Sequence, residues 1–394
     1  MLQDTIVSGI ICEYNPFHTG HLYQIDKIKS ETGGLVVCVM SGNFVQRGET
    51  AVIDKYTRCK MALLSGADLV IEMPVAYATS SAESFGECGV YLLNGLGSVD
   101  RLYFGSESDN ISHLKDIAKY LESGEYSFLL NNELQKGTSF PTARMNAVKT
   151  TLGEKYSALL EKPNDILGIE YIKAINKLNS NIEPCSIKRI GSDHDKDNDS
   201  SSISAKSIRE LIKSNQDVSK FVPNYELLED SIKNQTAPTD LKNLERTILY
   251  KLRNMSEEEI SNLPDVGEGL ENKIKAAANK AKSLDELYDL IKSKRYAHSR
   301  IRRIILHALL DITKDKMYLP EYIRILGMSK NGERILKSGQ NKLPFVSRYS
   351  EVKKLDKKQI KLFELEASAD NIFALCQPTI QNANAYYTRG IIKI

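Results

Sequence analysis

Two histidines three residues apart, in His18-Thr19-Gly20-His21, follow an apolar, β-branched run from Ile6 to Ile11 and an Asn15-Pro16 step. The run reads as a strand. The residues after it place Leu22, Ile25 and Ile28 on one face of a helix. A strand that passes through a small-residue turn into a helix start suits a phosphate, because the helix offers free N–H groups and the positive end of its dipole. Gly20 lets the backbone approach an anion closely. Two imidazoles one turn apart can donate hydrogen bonds to phosphoryl oxygens. The pair takes two of the chain's six histidines. That concentration favours the phosphate reading over a buried strand and helix with incidental histidines.

The elements needed to hold such a turn follow in order. Leu35 to Met40 reads as a second buried strand, and Ser41 to Glu49 as a polar loop. Asp54 is a helix N-cap, with Gly66 just past the helix end near Ser65. Leu69 to Met73 is a third strand closed by Pro74, Ser80 to Asn94 a helix, and Val99 to Phe104 a fourth strand ending in Gly105-Ser106-Glu107. The alternation predicts an α/β fold with a doubly wound, Rossmann-like parallel sheet. With strand order 3-2-1-4-5, the switch point falls between the first and fourth strands. Gly105 then faces the histidine turn; on sequence alone it could equally be an ordinary strand-ending glycine.

Residues 111 to 180 read as mainly helical, with Asn164 either capping a helix or touching a ligand. Pro184 to Ile190 is a fifth strand carrying Arg189 and Ile190 near its end. The acidic run Asp193 to Asp199 resembles a calcium loop but has Asn198 where the turn needs Gly and Ser204 where the bidentate Glu belongs, so it reads as a solvated loop. Ser204 caps a helix that sets Lys206 and Arg209 three residues apart, an arrangement that fits a second phosphate cradle or a solvated helix face.

The texture changes near Val222, dividing the chain into residues 1–221 and a mainly helical part, 222–394. Leu263 to Leu270 is a faint echo of a backbone-binding helix hairpin. In the second part the stretch Lys292 to Arg303 holds Lys294, Arg295, Arg300, Arg302 and Arg303 along with Lys292, and no acid. Such a run in a chain of net charge +2 suggests a phosphate-backbone partner, against the plainer reading of a solvated helix start. Pro320 to Met328 is a packed segment, and the tail after Gln377 carries no signal.

Composition bounds the rest. The 394 residues are 41% hydrophobic and 26% charged, as in ordinary globular proteins. No run is long enough for a membrane span, and no signal peptide opens the chain, which predicts a cytoplasmic protein without membrane partners. The six cysteines form no Cys-x-x-Cys pair, so no protein metal site is expected. Cys12, by its position, is the one that could be a nucleophile.

The His-x-Gly-His turn resembles that of the nucleotidylyltransferase superfamily. Further pieces resemble the bacterial tRNA(Met) cytidine acetate ligase family: Glu13 to His21, Met40 to Gly48, Glu72 to Val75, Phe104 to Glu107, Ile166 to Tyr171, Lys188 to Gly191, Lys294 to Tyr296 and Arg300 to Arg303. The resemblance implies an ATP-binding catalytic domain followed by a helical tRNA-binding part. It implies activation of acetate by ATP, then acetylation of the wobble cytidine of elongator tRNA(Met), with no DNA partner. Its ATP site would comprise Ile11, Cys12, Glu13, Tyr14, Asn15, Pro16, Phe17, His18, Thr19, Gly20, His21, Leu22, Tyr23 and Gln24, with Gly105, Asn164, Arg189 and Ile190. His18, His21 and Arg209 would act on the phosphates, and Mg²⁺ would arrive bound to them. The basic stretch would meet tRNA. Asp165, where the family often has a second Asn, and Lys206, where a small hydroxyl residue is common, are departures. Two other readings stay open: a small-molecule adenylyltransferase, and a nucleotide-gated RNA-binding protein without chemistry.

Overall fold

The structure, a computed structural model, describes residues 5–189, 203–267, 269–293, 296–338 and 340–394. Ile190, the acidic run 193–199, Lys294 and Arg295 lie outside the described residues.

The first half builds β1 (Val7–Cys12), α1 (Thr19–Thr32), β2 (Leu35–Ser41), a short hairpin β3 (Phe44–Val45) and β4 (Glu49–Thr50), α2 (Lys55–Leu64), β5 (Leu69–Met73), β6 (Arg101–Ser106) and β7 (Glu183–Lys188). The core strands lie in the order β5-β2-β1-β6-β7, all parallel. That is the expected 3-2-1-4-5 order, so the end of β1 and the end of β6 border one crevice. Both faces of the sheet are apolar, as in a sheet covered by helices on each side. Along β2, Val37 and Val39 join one core while Val36, Cys38 and Met40 join the other. The Ala82–Leu96 helix comes close to β1 because Gly89 has no side chain; a Cβ there would lie 2.6 Å from Ile11 Cδ1.

The sheet does not end with the first half. The packed segment at Pro320 to Met328 is a strand, β8 (Ile323–Met328), antiparallel to β5. β9 (Phe345–Val346) and β10 (Ile392–Lys393) both pair with β8. The tail after Gln377, silent in sequence, thus supplies an edge strand, and it buries Tyr386 as well. The helices from Tyr225–Lys233 to His298–Leu309 pack mainly on one side of the sheet. No helix among the described residues is long and apolar enough to cross a membrane.

Two buried polar anchors tie these layers. Arg58, fully buried on α2, donates to the carbonyls of Glu13, Ser41, Gly42 and Ile53, pinning the loops after β1 and β2. Burial lowers its pKa to about 10, which leaves it charged at neutral pH. Lys55, one turn earlier, reaches Glu72 on β5 and Asp370 on the Lys357–Leu375 helix, each at 2.7 Å.

Candidate active site

The chain leaves β1 through Glu13, turns at Tyr14 with φ 49°, and enters α1 with His18 as N-cap. The cap is built from both histidines. His18 Nδ1 accepts the Gly20 N–H at 3.0 Å, and His21 Nδ1 accepts the His18 N–H at 3.2 Å. This is a capping box in imidazoles rather than in Ser and Glu. The rings stack at 3.7 Å between centroids, and Tyr14 and Phe17 pack beneath His21 at 4.8 and 5.6 Å.

The cap also sets the proton. An imidazole whose Nδ1 accepts is neutral with its proton on Nε2. Burial, then the charges of Arg189 and Arg209, lowers the His18 pKa to about 4. Burial, His18 and Arg189 push His21 well below its ordinary value. At neutral pH the pair therefore offers two Nε2–H donors beside the N–H groups of the first turn, which suits the oxygens of a phosphate.

The lowered pKa predicts an acid window. The unfolded chain takes up the His18 proton near pH 6.5 and the folded chain near 4, so the stability His18 contributes is complete above 6.5 and is lost as pH falls toward 4. His18→Asn keeps an oxygen that can accept the Gly20 N–H but cannot titrate there. Its drop in melting temperature between pH 7 and pH 5 should be smaller than the parent's; equal drops would show that His18 does not set the acid response.

Around this turn the structure assembles residues distant in sequence. Arg209, on the Ala205–Lys213 helix, donates to the Asn15 carbonyl at 2.8 Å. Lys206, expected beside it, instead points to solvent and pairs with Glu210 at 3.7 Å, so the two charges part. Across the crevice Arg189 donates to Asn164 Oδ1 at 3.3 Å. Its stem passes over Gly105, where a Cβ would stand 3.1 Å from Arg189 Cγ. Asn164 is not the cap of its helix: that helix is Pro163–Lys177, with Lys162 at the N-cap position. Glu107 takes the capping role, accepting from the Asn164 side chain and from the Asp165 N–H at 3.1 Å. Asp165 turns away from the crevice. It is fully buried and accepts from Ser106 Oγ and from the Ser108 N–H, which fixes the end of β6.

Within 11 to 24, side chains divide by burial. Ile11, Cys12, Tyr14, Asn15, Pro16, Phe17 and His18 are buried and build the turn, while Glu13, Thr19, Gly20, His21, Leu22, Tyr23 and Gln24 have some surface. Cys12 is no nucleophile: burial pushes its thiol pKa well up, and it donates to the Val39 carbonyl at 3.7 Å. Glu107 and Arg58 carry weight that no sequence spacing marked; the only signal was the position of Glu107 two residues beyond Gly105.

The end of the basic stretch, from His298 to Arg303, forms the start of the His298–Leu309 helix. Arg300 donates twice to the Asp265 carbonyl, at 3.0 and 2.7 Å, and Arg303 reaches the Asp265 carboxylate at 3.3 Å. These two hold a neighbouring turn, contrary to a picture of free charges facing solvent. Arg302 pairs with Glu49 on β4. A cavity of about 700 Å³ opens elsewhere, against Tyr56, Phe373 and Arg389, and no residue of the histidine turn lines it. Size and chemistry part company here, since the phosphate-binding groups converge on the turn.

Known proteins resemble this chain over nearly its whole length. A family model described as HIGH Nucleotidyl Transferase matches residues 6–387. A tRNA(Met) cytidine acetate ligase from Caldanaerobacter subterraneus subsp. tengcongensis is 42% identical over 98% of this chain and 99% of its own. One from Acetivibrio thermocellus is 38% identical over 98% and 99%. Among solved structures, Thermotoga maritima TmcAL bound with alpha-thio ATP superimposes with a TM-score of 0.92 at 33% identity, covering 99% of this chain and all of that one.

Proposed function

We infer the chemistry from one premise: the chain belongs to the tRNA(Met) cytidine acetate ligase family of HIGH nucleotidyl transferases. It is an ATP-dependent ligase that acetylates the wobble cytidine of elongator tRNA(Met). The observation that carries the assignment of roles is the imidazole capping box, which leaves two neutral Nε2–H donors at a helix N-terminus.

An acetate oxygen attacks the α-phosphorus of ATP, the bond from that phosphorus to the bridging oxygen breaks, and pyrophosphate leaves. The product is acetyl-adenylate. His18, His21 and the first N–H groups of α1 stabilise the α-phosphate charge as it builds, and Arg209 holds the departing pyrophosphate. Glu13 and the turn backbone, with Gly105, Asn164, Arg189 and Ile190, position the nucleotide. The exocyclic amine of cytidine then attacks the acetyl carbonyl, AMP leaves, and the amine proton passes to solvent. The protein groups here are mostly donors, so a hydrated Mg²⁺ would be held by the phosphates of ATP rather than by side chains and would neutralise part of their charge. ATP and tRNA as substrates agree with a cytoplasmic protein. Residues 1–221 would do the activation, and the helical part, 222–394, would hold tRNA through Lys294, Arg295 and Arg302, with Arg300 and Arg303 shaping the basic helix from their places on Asp265.

Incubation with ATP, labelled acetate and tRNA tests the reaction: N4-acetylcytidine, AMP and pyrophosphate should appear together. Acetate-independent AMP formation, or label in no RNA product, would overturn it. The basic helix has its own test. Arg302→Ala should lower the slope of log binding constant against log salt by about one phosphate contact. Arg300→Ala, which removes two bonds to the Asp265 carbonyl, should reduce melting temperature more than that slope. Reversed effects would mean that Arg300, not Arg302, meets the RNA.

A further inference from the structure

We propose that Gln46 and Arg47, at the tip of the β3–β4 hairpin, act with Arg302 to seat a phosphodiester of single-stranded RNA beside the reacting nucleotide. The proposal rests on the ligase reading and says where the second substrate is gripped.

The hairpin is anchored on two sides. Toward the nucleotide turn, the Gln46 N–H donates to Glu13 Oε1 at 2.8 Å. Toward the basic helix, Gly48 lies so close that a Cβ would stand 2.6 Å from the Arg302 carbonyl carbon and the Arg303 nitrogen, and its φ of 73° also demands glycine. Glu49 adds its ion pair with Arg302. The tip therefore bridges the site of adenylation and the helix assigned to tRNA.

What the tip carries is a surplus of donors. Arg47 is exposed and makes no ion pair or side-chain hydrogen bond among the described residues. Its charge is felt by Arg209 and Arg302, which repel it, and by Glu13. Gln46 Nε2 and Arg302 Nε are shielded from solvent and lack any acceptor. Buried donors without partners are uncommon, and a phosphate oxygen is an acceptor that each of them lacks. A phosphate fits the planar fork of arginine. The phosphates of ATP already have His18, His21, Arg209 and the α1 N-terminus. The hairpin also touches the basic helix through Gly48 and Glu49, and that contact with the helix assigned to tRNA makes the phosphate it takes one of RNA.

The test compares two half-reactions in the full chain. One is acetate-dependent exchange of labelled pyrophosphate into ATP without RNA. The other is single-turnover transfer of acetyl to a tRNA(Met) transcript. Arg47→Ala should slow transfer at least about tenfold more than exchange, the effect of one charge-assisted contact. Arg47→Lys should recover part of the loss, and Gln46→Ala should move the same ratio in the same direction. Folding is not at stake for Arg47, whose side chain is exposed. If exchange falls as far as transfer, Arg47 holds a phosphate of ATP and the proposal is overturned. Equal rates for variant and parent in both assays overturn it too. A parent chain that forms acetyl-adenylate but leaves tRNA unmodified would instead sink the ligase reading, and the parent's own product tells the two failures apart.

Discussion

His21→Gln slows acetate-dependent pyrophosphate exchange by about 100-fold or more while the protein melts close to the parent temperature. The rate follows from the lost donor: a hydrogen bond to an oxygen that gains charge in the transition state is typically worth that factor. The stability follows from the cap. His21 Nδ1 accepts the His18 N–H from the third position of α1, the place a glutamine fills in ordinary capping boxes. His21→Ala should lose the same rate and, in addition, about 1 kcal/mol of stability. Because the donor acts mainly as charge builds, the loss should fall on kcat rather than on KM for ATP. A His21→Gln variant with near-parent exchange would remove His21 from the chemistry and leave it as a cap only.

Lys55→Met should cost about 3–5 kcal/mol, the penalty of breaking a buried ion pair from one side. The ammonium is fully buried between Glu72 and Asp370, and Asn43 adds a bond to the same Asp370 oxygen at 2.9 Å. Burial by itself would lower the Lys55 pKa; Asp370 and Glu72 more than reverse this and hold it protonated. Removing it leaves two carboxylates facing each other in the core. Burial already raises Asp370 to about 6, with Lys55 the main influence holding it down. A carboxyl whose folded pKa lies above its unfolded value favours folding at low pH and loses that contribution as pH rises through the folded value. The variant should therefore be less destabilised near pH 5 than at pH 8. Lys55→Met with Asp370→Asn should melt above Lys55→Met alone, since the second change removes the stranded charge. A Lys55→Met variant as stable as its parent at pH 8 would show that the triad is not what joins the two halves.

The triad also shows why the division of the chain near residue 222 describes sequence texture better than architecture. β8 lies beside β5 with Arg324 opposite Glu72, and the Lys357–Leu375 helix sends Asp370 to Lys55. The neighbouring apolar residues Tyr322, Ile325 and Leu326 suggest packing, but an antiparallel partner 250 residues earlier leaves no local mark. The pairing is a long-range event set by which apolar edge remains uncovered.

Much of the site was legible in residue order because its central part is local. A strand, a glycine-containing turn and a helix start lie within about one βα unit, and periodicity, caps and β-branched runs report such units directly. Hence the five parallel strands, their order, the His18–His21 turn and the Ser204 cap could be read from the chain. Tertiary structure decided what each long side chain meets. It set Arg209 against the Asn15 carbonyl and left Lys206 in solvent, and it turned Asp165 inward while Glu107 capped the helix. It also tied Arg300 and Arg303 to Asp265 and set Arg302 against the hairpin. A flexible arginine or lysine carries the same charge wherever it points. Its partner depends on elements that approach only when the sheet and its helices have packed.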